Sequence, residues 1–286
     1  MNSSNSNADL SMAAALTAFC ARLAAEDRSP GTIAAYRRDL ALIARVAERE
    51  APGLSCRQIT SSLLEQVFVL PEVLTIAGGL RSPASLHRMK AAVRAFFSWT
   101  AREGITADNP ACTIRLHRLK RKPPGFLTAA EKRRLLKELK SQAGPAALRD
   151  RVMIEVLLGT GIRLGELAAL DIDDIDLDAK HLRVWAKGNV VQVKFIKTDL
   201  RRLLRRYLVE RRRLGVPDVE ALFLSNRGTR LCQRQIANRF AHWLNQAGID
   251  KHLTPHGLRH TFATLLYSAT NDLLVVQRAL HWKFII

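Results

Sequence analysis

Residues 115–124 (RLHRLKRKPP) put five lysines and arginines and two prolines into ten positions with no apolar face. Such a run resists burial, because its charges would lack partners and its prolines interrupt both helical and ladder hydrogen bonding. On either side the chain carries apolar residues at regular spacing, so it has to fold as two units, each burying its own core. The expected division is a helical N-terminal domain over 10–105, a basic linker over 106–125 and a second domain over 126–286. The linker reads either as a solvated tether or as a cationic strap along a phosphate backbone, and the two are compatible.

In the first segment Leu16, Phe19, Cys20 and Leu23 recur at i, i+3, i+4 and i+7, and Ile33, Tyr36, Leu40 and Ile43 do the same. Between them Ser29-Pro30-Gly31-Thr32 supplies a turn and a helix cap. A third helix is predicted over 59–68. A fourth, over 83–102, shows Leu86, Met89, Val93, Phe96, Phe97 and Thr100 on one face and stops at Gly104.

The second segment opens with a capping box, Thr128 with Glu131 three residues on. An apolar helix over 149–158 halts at Gly159-Thr160-Gly161, and a short helix over 163–170 follows. Two strands, 181–185 and 190–196, flank Ala186-Lys187-Gly188-Asn189, which predicts a β-hairpin with Lys187 at its tip. Helices are predicted again over 200–214, 234–247, 255–268 and 272–280. The fold class is therefore mostly α with a small antiparallel β-sheet: a helical domain followed by an α+β domain.

Lysine and arginine total 45 against 26 acids, a formal charge of +19 with a pI of about 10.7. Residues 1–105 carry only +3 of this, so the excess lies in the linker and the second domain. That is the footprint of a polyanion binder, most often of nucleic acid, although an arginine-rich codon bias contributes to the same count. With aromatic residues at 6%, the chain offers no recognisable stacking platform for RNA, which favours duplex DNA. No stretch approaches the roughly 18 apolar residues of a membrane span, and the start, MNSSNSNAD, is unlike a secretory signal. Cys20, Cys56, Cys112 and Cys232 are scattered without a CxxC pair, as in a reduced, cytoplasmic protein.

Two motifs carry chemistry. In TPHGLRHT, Thr254 suits an N-cap and Pro255 the first helical position, which puts His256 beside free backbone N–H groups and Arg259 on the same face three residues later. An imidazole and a guanidinium at a helix N-terminus make a receptacle for phosphate. His256 also reads as a packing histidine, or with His260 as a metal pair, although no acid or cysteine lies between the two. In GTGIRLGEL, Arg163 stands among Ile162, Leu164 and Leu167, so it needs either a partner or a cleft to face; Glu166, one turn on, is a candidate partner.

GTGIRLGEL, a hairpin-tip lysine and TPHGLRHTFAT, in that order, resemble the tyrosine recombinases, the phage-type and integron-type integrases of mobile genetic elements. SPGTIAAYRRDL and REGITADNP resemble that family's core-binding (SAM-like) domain, so the likeness runs from about residue 10 onward. It implies a site-specific DNA recombinase that breaks and rejoins strands through a phosphotyrosyl intermediate, with no metal or nucleotide cofactor. Arg163 and Arg259 would clamp the scissile phosphate, Lys187 would protonate the leaving oxygen, His256 would move the nucleophile's proton, and Glu166 would orient its neighbours. VQRALHW resembles the family's VQxLLGH. Trp282 then falls on the phosphate-donating histidine, with His281 as the alternative.

The family's nucleophilic tyrosine would stand about nine residues beyond Trp282, past Ile286. The expectation is therefore a C-terminally truncated copy, defective in cleavage, whose catalytic domain is incomplete. The alternative is an inactive DNA-binding remnant that occupies recombination sites. Of the tyrosines present, Tyr36 belongs to the first domain, Tyr207 to an arginine-rich helix, and Tyr267 is expected in the core. The likeness also implies a homotetramer on paired DNA sites. Truncation would weaken that tetramer and expose Leu273, Leu274, Leu280 and Phe284.

Overall fold

The computed structural model describes residues 10–116, 125–186, 190–213 and 220–280, and the chain divides into two compact units between residues 121 and 122. The N-terminal unit contains α1 (Met12–Ala25), α2 (Pro30–Glu50), α3 (Ser61–Val69), α4 (Pro71–Leu74), the minimal antiparallel pair β1 (Thr75–Ile76) and β2 (Gly79–Leu80), and α5 (Pro83–Arg102). Ser11, Ser29, Thr60 and Ser82 each cap a helix by accepting from the backbone N–H three residues on. Proline at the first position of α2 and of α5 is preset for the helix and lacks only a donor that would have had no partner.

The apolar faces meet as their spacing predicts. Leu40, Ile43, Leu64, Met89, Phe96 and Phe97 are fully enclosed, and Phe19 packs edge-on against Phe96 with ring centroids 5.5 Å apart. Each such side chain contributes about 1.5–3 kcal/mol on leaving water. Tyr36 packs at the margin of this core, stacked against Phe19.

The C-terminal unit contains α6 (Ala129–Ser141), α7 (Pro145–Thr160), α8 (Leu164–Ala169), β3 (Ile175–Asp176), β4 (His181–Ala186), β5 (Val190–Phe195), α9 (Thr198–Arg212), α10 (Gln233–Gln246), α11 (Pro255–Thr270) and α12 (Leu273–Leu280). The capping box at α6 forms in full, since Thr128 Oγ1 accepts from Glu131 N and the Glu131 carboxylate accepts from Thr128 N at 2.8 Å. Lys251 donates to the same carboxylate, and this ion pair with the cap bonds lowers the Glu131 pKa to about 2.

Helix α7 is the hub of this unit, buried on nearly every side and packed against α6, α9, α10 and α11. The sheet runs β3-β4-β5, all antiparallel, with Leu182 opposite both Ile175 and Lys194. Strand β3 has no counterpart in the sequence reading, because two residues are too few to show an alternation. The predicted hairpin forms, with Ala186 opposite Val190, but its tip, Lys187 to Asn189, lies outside the described residues. Among the described residues no helix is long and apolar enough to cross a membrane.

One polar node sits inside this core. Asp150 is fully buried and accepts from Arg149 (3.0 Å), Arg239 (2.6 Å) and Trp243 Nε1 (2.9 Å). Arg149 in turn donates to Leu224 O and Asn226, so both members of the buried pair are satisfied. Removing the carboxylate would leave a buried guanidinium without a counter-charge. Asp150→Ala is therefore expected to destabilise the C-terminal unit by about 3–5 kcal/mol in urea unfolding. Arg149→Lys, which retains the charge but not the fork, is expected to cost less.

Candidate functional site

Helix α7 ends at Gly161, which closes it in the left-handed conformation (φ +64°). A Cβ at this position would lie 2.4 Å from Phe262 and 2.8 Å from Leu280, so glycine is required both for backbone shape and for close packing. Two residues on, Arg163 precedes α8. Glu166 reaches back to it twice, accepting from the Arg163 backbone N–H (2.7 Å) and from its Nη1 (2.7 Å). Glu166 is buried, whereas the Arg163 side chain is 47% exposed. The sequence reading embeds Arg163 in an apolar frame. In the structure its apolar neighbours turn inward and the guanidinium faces outward, held at its base.

The TPHGLRHTFAT segment folds as the first turns of α11. Thr254 occupies the N-cap position with extended backbone, but its hydroxyl makes no capping bond, which corrects the sequence reading; Pro255 stands at the first helical position. Gly257 lets Leu253 and the Gly125 carbonyl approach, and Thr261 Oγ1 accepts from the Leu127 N–H at 2.9 Å. These two residues serve packing.

Arg259 is 3% exposed and donates to Gly161 O (2.5 Å) and Leu280 O (2.7 Å), joining the ends of α7 and α12 to α11. Burial and the nearby Arg163 lower its pKa to about 10, so it stays charged at neutral pH. His256 is solvent-accessible. Partial loss of hydration, then Arg259 and Arg163, hold its pKa below the ordinary histidine value. Its ring meets that of His260 edge-on at 4.8 Å. Among the described residues no three His, Cys, Asp or Glu side chains gather at metal-binding distance.

Arg163, Glu166, His256 and Arg259, far apart in sequence, therefore share one electrostatic neighbourhood, as the sequence reading requires. Lys187, His281, Trp282 and Phe284 lie outside the described residues.

The C-terminal unit matches the phage integrase family over residues 125–285, and the N-terminal unit matches the phage integrase N-terminal SAM-like domain over 16–104. The chain belongs to the phage integrase family of tyrosine recombinases. It is similar to the tyrosine recombinase XerC of Alcanivorax borkumensis, 34% identical over 268 residues that cover 92% of this chain and 83% of that protein. XerC of Mycobacterium bovis is 36% identical over 261 residues, covering 88% and 84%. Among solved structures, the XerA recombinase is 27% identical with a TM-score of 0.51, covering 96% of this chain and 90% of that one. A lambda integrase dimer bound to a COC' core site shares the fold with a TM-score of 0.72 at 19% identity, covering 98% and 77%.

One member of this integrase's cluster escaped the sequence reading. Lys194 lies on β5 with its side chain buried, close enough to Arg259, Glu166 and Arg163 for each to affect its titration. The signal was present in VVQVKFI, where a lysine alternates with exposed apolar residues: Val191, Val193 and Phe195 face outward and Lys194 inward.

Other expectations are corrected. Tyr267 is 42% exposed instead of lying in the core, because it sits past the part of α11 that packs on α7. Leu273 and Leu274 are exposed as expected, but Leu280 is fully buried against Val276 and Ala263, since α12 folds back onto α11. Several arginines already have partners within the C-terminal unit. Arg211 holds Ala221 O and Leu222 O, Arg239 holds Asp150, and Arg230 pairs with Asp171.

In a histidine-resolved NMR titration, His256 is expected to show a midpoint below that of a free imidazole. A base with a depressed folded-state value gives stability that is present above the unfolded pKa, about 6.5, and is lost as pH falls below it. His256→Gln should flatten that part of the acid-side stability profile.

Proposed function

We propose that this protein binds duplex DNA and breaks and rejoins its strands at specific sites through a phosphotyrosyl intermediate, acting in the cytoplasm. The observation that carries this reading is the charge at the cluster. Among the described residues Arg163, Lys194 and Arg259 converge with Glu166 as the one carboxylate, and Arg259 and Lys194 are largely removed from water. A partly dehydrated excess of positive charge calls for an anion of matching geometry, and a phosphodiester supplies one.

In this reading Arg163 and Arg259 hold the non-bridging oxygens, where negative charge grows in the transition state. A tyrosine oxygen attacks phosphorus, the bond to the 5′-oxygen breaks, and Lys187 gives that oxygen its proton. His256, whose pKa is lowered by partial desolvation and then by Arg259 and Arg163, accepts the proton of the nucleophile. Glu166 holds Arg163 in position, and Trp282, or His281 in its place, donates to the phosphate. Rejoining runs the same steps backwards from the free 5′-hydroxyl. The relatives named tyrosine recombinase XerC support the activity class.

A second reading, a DNA binder that occupies sites without cleaving them, draws on the tyrosines within residues 1–286. The Tyr207 hydroxyl donates to Leu222 O at 2.9 Å, and burial pushes its pKa up to about 12. Tyr36 lies in the N-terminal core, and Tyr267 lies on α11 two turns beyond Arg259.

The two readings share an expectation: duplex affinity falls with salt at a log–log slope of roughly −0.9 per phosphate contacted. They part on a nicked duplex selected from a randomised pool, because a denaturation-resistant protein–DNA adduct supports cleavage, and its absence at saturating binding supports the binder. Where the adduct forms, Arg163→Ala should slow it by about 10²–10³-fold, the usual cost of one lost oxyanion donor.

A further inference from the structure

Lys194 is the least expected charge in the molecule. It occupies an inward position of β5, opposite Leu182, where the alternation of a half-buried strand calls for an apolar side chain. Its residue is 6% exposed, and its Nζ donates to Ala279 O at 2.6 Å. Among the described residues its other two ammonium protons have no hydrogen-bond acceptor.

A buried ammonium with one acceptor among the described residues is costly unless something completes its shell. The groups around it sharpen the point. Arg259 from α11 and Arg163 from the start of α8 repel its charge, and Glu166 from α8 attracts it. On α12 it meets the Ala279 carbonyl, while Arg259 takes the adjacent Leu280 carbonyl. Lys194 and Arg259 thus grip neighbouring carbonyls of one helix end, and both border the place where the phosphate would sit.

We propose that Lys194 is a third phosphate-binding cation of this site, whose two free ammonium protons meet the phosphodiester held by Arg163 and Arg259. The proposal rests on the phosphate-clamp reading above and adds to it a group on the sheet that is distinct from the hairpin-tip Lys187. It also gives the site a pH response. Desolvation, and then Arg259, lower the Lys194 pKa to about 8, so its proton is held at neutral pH and lost just above it. An incoming phosphate stabilises the charged form, so binding raises this pKa, and affinity falls as pH rises through the value of the free protein. His256 and His260 are both depressed and lose their protons at lower pH, outside this window.

The test compares the wild-type chain with Lys194→Met, Lys194→Arg and Arg163→Gln by fluorescence anisotropy on a labelled duplex, at fixed ionic strength, from about pH 7 to about pH 9.5. Wild-type affinity is expected to drop roughly five- to tenfold across that range. Lys194→Met should bind about tenfold more weakly at pH 7, lose the pH dependence and shed about 0.9 from the salt slope. Lys194→Arg should restore binding without restoring the pH dependence, a rescue that a purely structural role for the amine would not produce.

The proposal is overturned if Lys194→Met matches wild type in affinity, slope and pH profile while Arg163→Gln weakens binding; the clamp reading then stands. If neither variant changes binding, the clamp reading falls too. A measurement that needs no variant guards against misfolding: the ε-carbon NMR titration of Lys194 in the wild-type chain should shift to higher pH when duplex is added, and an unmoved midpoint at saturation overturns the proposal.

Discussion

The organisation of the C-terminal unit depends on one buried guanidinium. Arg259 reaches the last carbonyls of two helices, at Gly161 and Leu280, so three elements meet at a single side chain. Helix C-termini leave carbonyls without partners and carry the negative end of the backbone dipole, so a cation there is favourable on both counts. The same contact dictates glycine at 161, since Phe262 and Leu280 press against the space a Cβ would fill. Arg259 is thus the fastener of its surroundings, and its guanidinium is held in one place by the fold.

Two polar clusters in this unit show how structural and functional charge differ. At Asp150 two arginines and an indole share one carboxylate, and the leftover protons of Arg149 go to Leu224 O and Asn226. That node is closed. Around Arg259 the counting does not close among the described residues: Arg163, Lys194 and Arg259 gather about Glu166, and two of the Lys194 ammonium protons have no acceptor there. The first arrangement specifies packing, and the second is the one on which the phosphate-clamp proposal rests. Net charge alone does not separate them. Arg211, Arg230 and Arg239 add to the +19 of the chain but are committed to carbonyls or carboxylates.

Membership of the phage integrase family rests on both units matching in order, which agrees with a chain that divides into two compact units. The residues that carry the likeness do different physical jobs within one motif. In TPHGLRHTFAT, Gly257 and Thr261 serve packing, Arg259 is buried and bonds two helix ends, and His256 is exposed.

The sequence by itself determined most of the helices and their caps and the pairing of the two hairpin strands, because these follow from spacing and from side chains acting on backbone within a few residues. It also offered Glu166 as a candidate partner for Arg163, since a spacing of three residues at a helix start can bring the two together, and the structure makes that pair. Only the tertiary structure decided which cation is buried. Arg163, amid apolar neighbours, turns outward, and Arg259 is enclosed, because burial is set by what other elements press against a face. It likewise decided that Leu280 is covered while Tyr267 is not, and that Lys194 points inward. A strand's alternation names two faces but not which one meets the core, and here the face richer in apolar residues is the one left outside.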